Sequence, residues 1–109
     1  MTPSQIVIVS PQHNATYPNN EPMVTKYRVI VGPVSAPTHE IEVLKANATP
    51  ITGDQYSLWI TALMAQLPAE AAGTIYVRAE NPMEVGPYGA GIPFLKSLAP
   101  VAVDVIGIS

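Results

Sequence analysis

Twelve prolines are spread along 109 residues, at positions 3, 11, 18, 22, 33, 37, 50, 68, 82, 87, 93 and 100. Each one fixes φ and removes a backbone donor, so this spacing leaves little room for long helices. It leaves room for strands of about five to nine residues, a common strand length. Such strands are written between the prolines. Residues 5–10 are a β-branched run closed by Pro11, and 11–22 (PQHNATYPNNEP) is turn chemistry throughout. Residues 23–31 alternate, with Val24, Lys26, Arg28 and Ile30 on one face and Met23, Thr25, Tyr27, Val29 and Val31 on the other.

Beyond the loop at 32–37, residues 39–44 set Ile41 and Val43 inward and Glu40 and Glu42 outward. Residues 47–54 read as another loop. Tyr56, Leu58, Ile60 and Ala62 define the next strand face, with Trp59 opposite. Residues 74–80 place Ile75 and Val77 on one face and Tyr76 and Arg78 on the other. Residues 85–94 form a glycine-loosened strand. Residues 101–108 close the chain as an alternating strand, with Val101, Val103 and Val105 set against Ala102, Asp104 and Ile106. Seven or eight short strands with frequent turn signals are the pattern of one all-β sandwich domain spanning 1–109.

One segment breaks the period of two. Ile60, Leu63, Met64 and Leu67 follow the i, i+3, i+4, i+7 spacing of a helix, and Pro68 limits that helix to about two turns. The expectation is a strand running into a crossover that holds at most one short helical turn near 60–72.

Several motifs resemble the fibronectin type III-like branch of the Ig-like sandwiches. Tyr27-x-Val29-x-Val31 is similar to the family's strand C, in which an aromatic and two aliphatics face the core. Tyr56-Ser57-Leu58 resembles strand E. Val77-Arg78-Ala79-Glu80-Asn81 with Gly86-Pro87-Tyr88 resembles the F–G hairpin. The chain also departs from the pattern: no tryptophan lies in a strand-B position, Gly73 stands where the corner tyrosine belongs, and AEAA is inserted after Leu67-Pro68. The resemblance implies a two-sheet Greek-key fold on a divergent branch.

Composition narrows the function. Charged residues are 12% of the chain and apolar residues 48%, against about 25% charged in an average protein. A small domain cannot hide that much apolar surface, and the surplus points to an interface. Five Lys and Arg with a net charge of −3 argue against a nucleic-acid surface. The apolar run 6–9 is too short for a signal peptide core, and no stretch has the length of a membrane span. Cysteine is absent, which removes disulfides and thiolate chemistry.

No constellation for catalysis stands out. There is no G-x-S-x-G elbow and no H-E-x-x-H, so the chain reads as non-enzymatic and cofactor-free. His13 and His39 read as two solvated histidines, too few for a metal site. Glu40 and Glu42 read as a solvated strand face, and Asp54, Glu80, Glu84 and Asp104 as isolated carboxylates. Gly86, Gly89 and Gly91 lack the lysine and helix of a phosphate loop. Asn14 and Asn47 each open an N-x-[ST] acceptor pattern in loop text.

Tyr17, Trp59 and Tyr88 are the aromatic binding candidates, because such side chains give large contact area at low entropic cost. Val101, Val103 and Val105 are the candidate sticky strand. Two classes remain. The first is a structural assembly module that binds virion subunits or itself; a charge-poor, cysteine-free Ig-like domain resembles bacteriophage proteins that decorate capsids or tails. The second is an adhesion or carbohydrate-binding accessory domain at a cell surface, with host-surface glycan on its aromatics.

Overall fold

The computed structural model describes residues 3–97 and 105–108. Seven strands make two antiparallel sheets. In chain order they are β1 (Gln5–Val9), β2 (Lys26–Val31), β3 (His39–Leu44), β4 (Thr49–Thr52), β5 (Gln55–Trp59), β6 (Ala72–Glu80) and β7 (Ile92–Leu95), with one helix, α1 (Thr61–Ala65), after β5. The smaller sheet runs β1-β5-β4 and the larger β3-β2-β6-β7. The fold is therefore a two-sheet antiparallel β architecture of sandwich type, with a short helix in the predicted crossover.

The core lies where the alternation placed it. Tyr27, Val29 and Val31 of β2 face Leu58 and Ile60, with Ile6, Val43 and Ile75 beside them. Leu63, Met64 and Leu67 are buried as well, so α1 is held by its apolar stripe, since one turn has little stability of its own. Gln66 Nε2 donates to the Glu40 carbonyl at 3.2 Å and ties this corner to β3.

Two expectations need correction, and a third falls in part outside the described residues. Residues 47–54 include a strand, β4, which carries Pro50; proline is tolerated there because β4 is an edge strand with a register shift between Pro50 and Thr52. Val24 does not share the face of Lys26 and Arg28. It is 1% exposed, because β2 begins only at Lys26 and the preceding residues break the alternation. Of the closing strand predicted at 101–108, residues 101–104 lie outside the described residues, and 105–108 are in no strand.

The outer face of the larger sheet carries a charge cluster that single-strand reading missed. Register sets Lys26 beside Glu80 and Arg28 beside both Glu42 and Arg78. Glu80 accepts from Arg28 Nε at 2.9 Å and from Arg78 Nε at 2.7 Å, and it is only 5% exposed. Burial pushes its carboxyl up, but the hydrogen bonds and charges of Arg28 and Arg78 outweigh that and hold it below the usual carboxylate range. Lys26 and Arg28 also pair with Glu42, and Arg28 with Glu40.

On the same face, Tyr76 fits between two glycines. A β-carbon at Gly91 would stand 2.4 Å from Thr74 Cγ2 and 2.6 Å from Tyr76 Cε1, and one at Gly32 would stand 2.6 Å from Tyr76 Cε2. The absence of side chains thus lets both flanking segments close on the ring. Gly91→Ala should destabilise the domain by about 1–3 kcal/mol through overpacking. Gly89→Ala, with nothing within 4 Å of the new atom, should leave the denaturation midpoint nearly unchanged. Equal midpoints for the two variants would contradict this account.

Candidate partner-binding site

Among the described residues each sheet has two edges, and three of the four are blunted. β4 carries Pro50, β7 carries Pro93, and β3 carries Glu40 and Glu42. Proline and charge are the usual devices that stop an edge from recruiting a further strand. β1 has none: its five residues are Gln5, Ile6, Val7, Ile8 and Val9. Its one neighbour among the described residues is β5, paired from Gln5 opposite Trp59 to Val9 opposite Gln55. Val7 and Val9 are 62% and 68% exposed on this bare edge.

The bare edge borders a groove of about 590 Å³. One wall is β1 and the turn after it, up to Gln12. The other is the middle of β6 with the segment 87–92, and Val24, Tyr27 and Ile75 lie at the bottom. The lining is chiefly aliphatic. Segment 87–92 is held back by its own bonds to β6: Gly86 N donates to the Ala79 carbonyl at 2.8 Å, and Gly89 N to the Val77 carbonyl at 3.2 Å. Ile92 then enters β7 opposite Ile75.

A buried polar network holds one end of this groove. Tyr27 Oη hydrogen-bonds Ser10 Oγ at 2.7 Å and His13 Nδ1 at 2.6 Å. The tyrosine has one proton to give, so one of its two partners, Ser10 Oγ or His13 Nδ1, donates to it. The His13 ring stacks on Tyr56 with centroids 3.7 Å apart, and Asn14 Nδ2 donates to Tyr56 Oη at 3.3 Å. Tyr27 belongs to the larger sheet, while Ser10, His13 and Tyr56 attach to the smaller one. The network therefore fixes the spacing of the two groove walls. His13 is 7% exposed, which corrects the reading of a solvated histidine. The turn-rich text around it hid a residue that folds back over the sheet end.

The aromatic candidates are separated. Trp59 is 54% exposed on the outer side of β5 and lines a hollow of about 540 Å³ with Ile41, Glu42, Asn47 and Thr49. Tyr88 lies under Arg78, whose guanidinium carbon is 4.9 Å from the ring centroid. Tyr17 Oη accepts from Asn81 Nδ2 at 3.1 Å, which joins the 11–22 turn to the end of β6. Tyr17 and Tyr88 are half-buried and used in internal contacts. Val105 is 87% exposed, and Val101 and Val103 lie outside the described residues. The groove itself was missed, because its parts come from β1, β2 and β6, which are far apart in the chain. The single sequence signal for it was the uncharged, proline-free text of β1.

No family model matches the chain, and neither a curated protein nor a solved structure matches it.

Burial, and then the charge of Lys45, lower the pKa of His13 from its ordinary 6.5. The unfolded chain therefore takes up this proton first as pH falls. The stability that His13 supplies as a neutral ring is complete above about pH 6.5 and is lost as pH drops through its folded value. The midpoint of thermal unfolding should fall between pH 7 and 5.5. His13→Gln should flatten that fall and lower stability at pH 7 by about 1–2 kcal/mol. A variant with the wild-type slope would assign the acid sensitivity to another group.

Proposed function

We propose that this chain is a non-enzymatic structural module that enters a larger protein assembly through the bare β1 edge and the apolar groove beside it. The observation that carries the reading is the contrast between one unguarded edge and three guarded ones. A strand added at β1 would gain backbone hydrogen bonds and bury its side chains in the groove, the usual economy of β-augmentation. The strand order supports an Ig-like assignment: β1-β5-β4 corresponds to strands B-E-D and β3-β2-β6-β7 to C′-C-F-G, with no counterpart of strand A among the described residues. Under that reading the groove lies where the described residues supply no first strand. The low charge and the resemblance noted in the sequence favour a virion decoration or tail-associated protein, bound to other virion subunits or to itself.

Light scattering on the size-fractionated protein tests this reading. Val7→Lys with Val9→Lys places two charges on exposed positions of the edge, so melting should be little changed. Association with the chain's own copies, or with the subunits it decorates, should weaken at least tenfold, roughly 1.4 kcal/mol. A folded double variant that associates like the wild type would overturn the proposal.

A second reading is kept by the Trp59 hollow. An exposed indole beside Asn47, Thr49 and Glu42 suits stacking on a sugar ring with polar groups at its rim, as in an adhesion or carbohydrate-binding domain at a cell surface. Tryptophan fluorescence should then shift when a host-surface polysaccharide is added. A flat titration across a glycan panel would retire this reading.

A further inference from the structure

The bare edge and the groove name a vacancy, and the same chain contains a segment that suits it. We propose that the C-terminal segment 101–108 of one copy fills the groove of a second copy as an added strand beside β1. The inference rests on the reading that β1 is where this chain docks, and it names the occupant.

The segment has the right chemistry. Its sequence, VAVDVIGI, alternates Val101, Val103 and Val105 with Ala102, Asp104 and Ile106. A strand with that period turns three valines to one side and keeps Asp104 on the other. The valine side matches a groove floored by Val24, Tyr27 and Ile75 and walled by Ile6, Ile8 and Val77. Asp104 then faces water, where its charge needs no partner. Eight residues are more than enough to pair with the five of β1.

The described end of the segment is unsatisfied in the isolated chain. Val105, Ile106 and Ile108 are 87%, 99% and 100% exposed. Val105, on the groove-facing side, has most of its burial free energy still to gain, about 1.5–3 kcal/mol. A bare strand edge, an apolar groove and an exposed apolar segment in one molecule are the two halves of a single contact.

Chain direction decides for a second copy. β7 starts at Ile92, on the groove wall, and runs away to Leu95, opposite Ala72 at the far end of β6. There the chain is anchored. Lys96 N donates to the Ala71 carbonyl at 2.8 Å, and Lys96 Nζ to the Met64 and Leu67 carbonyls at 2.8 and 2.6 Å. Lys96 and Ser97 thus lie beside α1, with the groove of their own copy behind them. Donor and acceptor surfaces differ, so the contact is heterologous, and repetition gives a ring or an open filament.

A complementation experiment on full-length chains tests the inference. The tail variant carries Val103→Lys and Val105→Lys and keeps its groove. The edge variant carries Val7→Lys and Val9→Lys and keeps its tail. Wild-type protein should self-associate, and each variant alone should be monomeric with a near-wild-type melting temperature. An equimolar mixture should form a one-to-one dimer and stop there, because it contains one working tail and one working groove. A tail variant that assembles like the wild type, beside an edge variant that does not, overturns the tail as occupant and leaves β1 docking intact. Assembly unaffected in both variants overturns both readings. A monomeric wild type overturns exchange between copies, including the case in which its own tail amides are protected from hydrogen exchange.

Discussion

The hydroxyl of Tyr27 holds the two layers in register. It starts on the central strand of the larger sheet and ends on Ser10, the residue that follows β1 in the smaller one, with the His13 ring packed over Tyr56 beside it. Aliphatic packing alone fixes the thickness of a two-sheet core but tolerates sliding. A buried hydroxyl that must keep both partners does not, because each lost bond leaves a desolvated polar atom. The width of the groove and the position of the β1 edge both follow from that one side chain and its partners.

The parts of the fold that could be read from the sequence are those written in local periodicity. The Tyr27, Val29, Val31 face and the strand at His39–Leu44 are where alternation set them. The helical spacing of Ile60, Leu63, Met64 and Leu67 gave a real turn of helix, with all four side chains buried. The failures have a common physical origin. His13 is buried by residues 14 and 43 positions away, and Glu80 is neutralised by Arg28, 52 positions away. Neither contact leaves a mark in the text around the residue. β4 was hidden because proline weighs against strands in general, whereas an edge needs only one side of its ladder.

The candidate site was legible in half. The apolar surplus suggested an interface, but the bare β1 edge was not visible. It is made by what β1 lacks among the described residues: a proline, a charge and a second neighbouring strand. Such an absence acquires meaning only when the sheet order shows which strands are edges. The aromatic residues make contacts that the sequence did not show. Tyr17 and Tyr88 looked available for binding because they sit in loop-like sequence, yet one accepts a hydrogen bond from Asn81 and the other lies beneath Arg78.

Lys96 gives the domain a mechanical property. A load that enters through Ser97, whose carbonyl accepts from Glu70 N at 3.5 Å, reaches Lys96 before it reaches β7. Its ammonium is clasped by two carbonyls at the end of α1 and its amide by Ala71. Tension is therefore shared first with the helix and the start of β6, and only afterwards with the four-residue ladder of β7. A load applied through Ser97 would be spread into the buried end of the core, where Leu63, Met64 and Leu67 are packed, instead of peeling a short edge strand from its sheet.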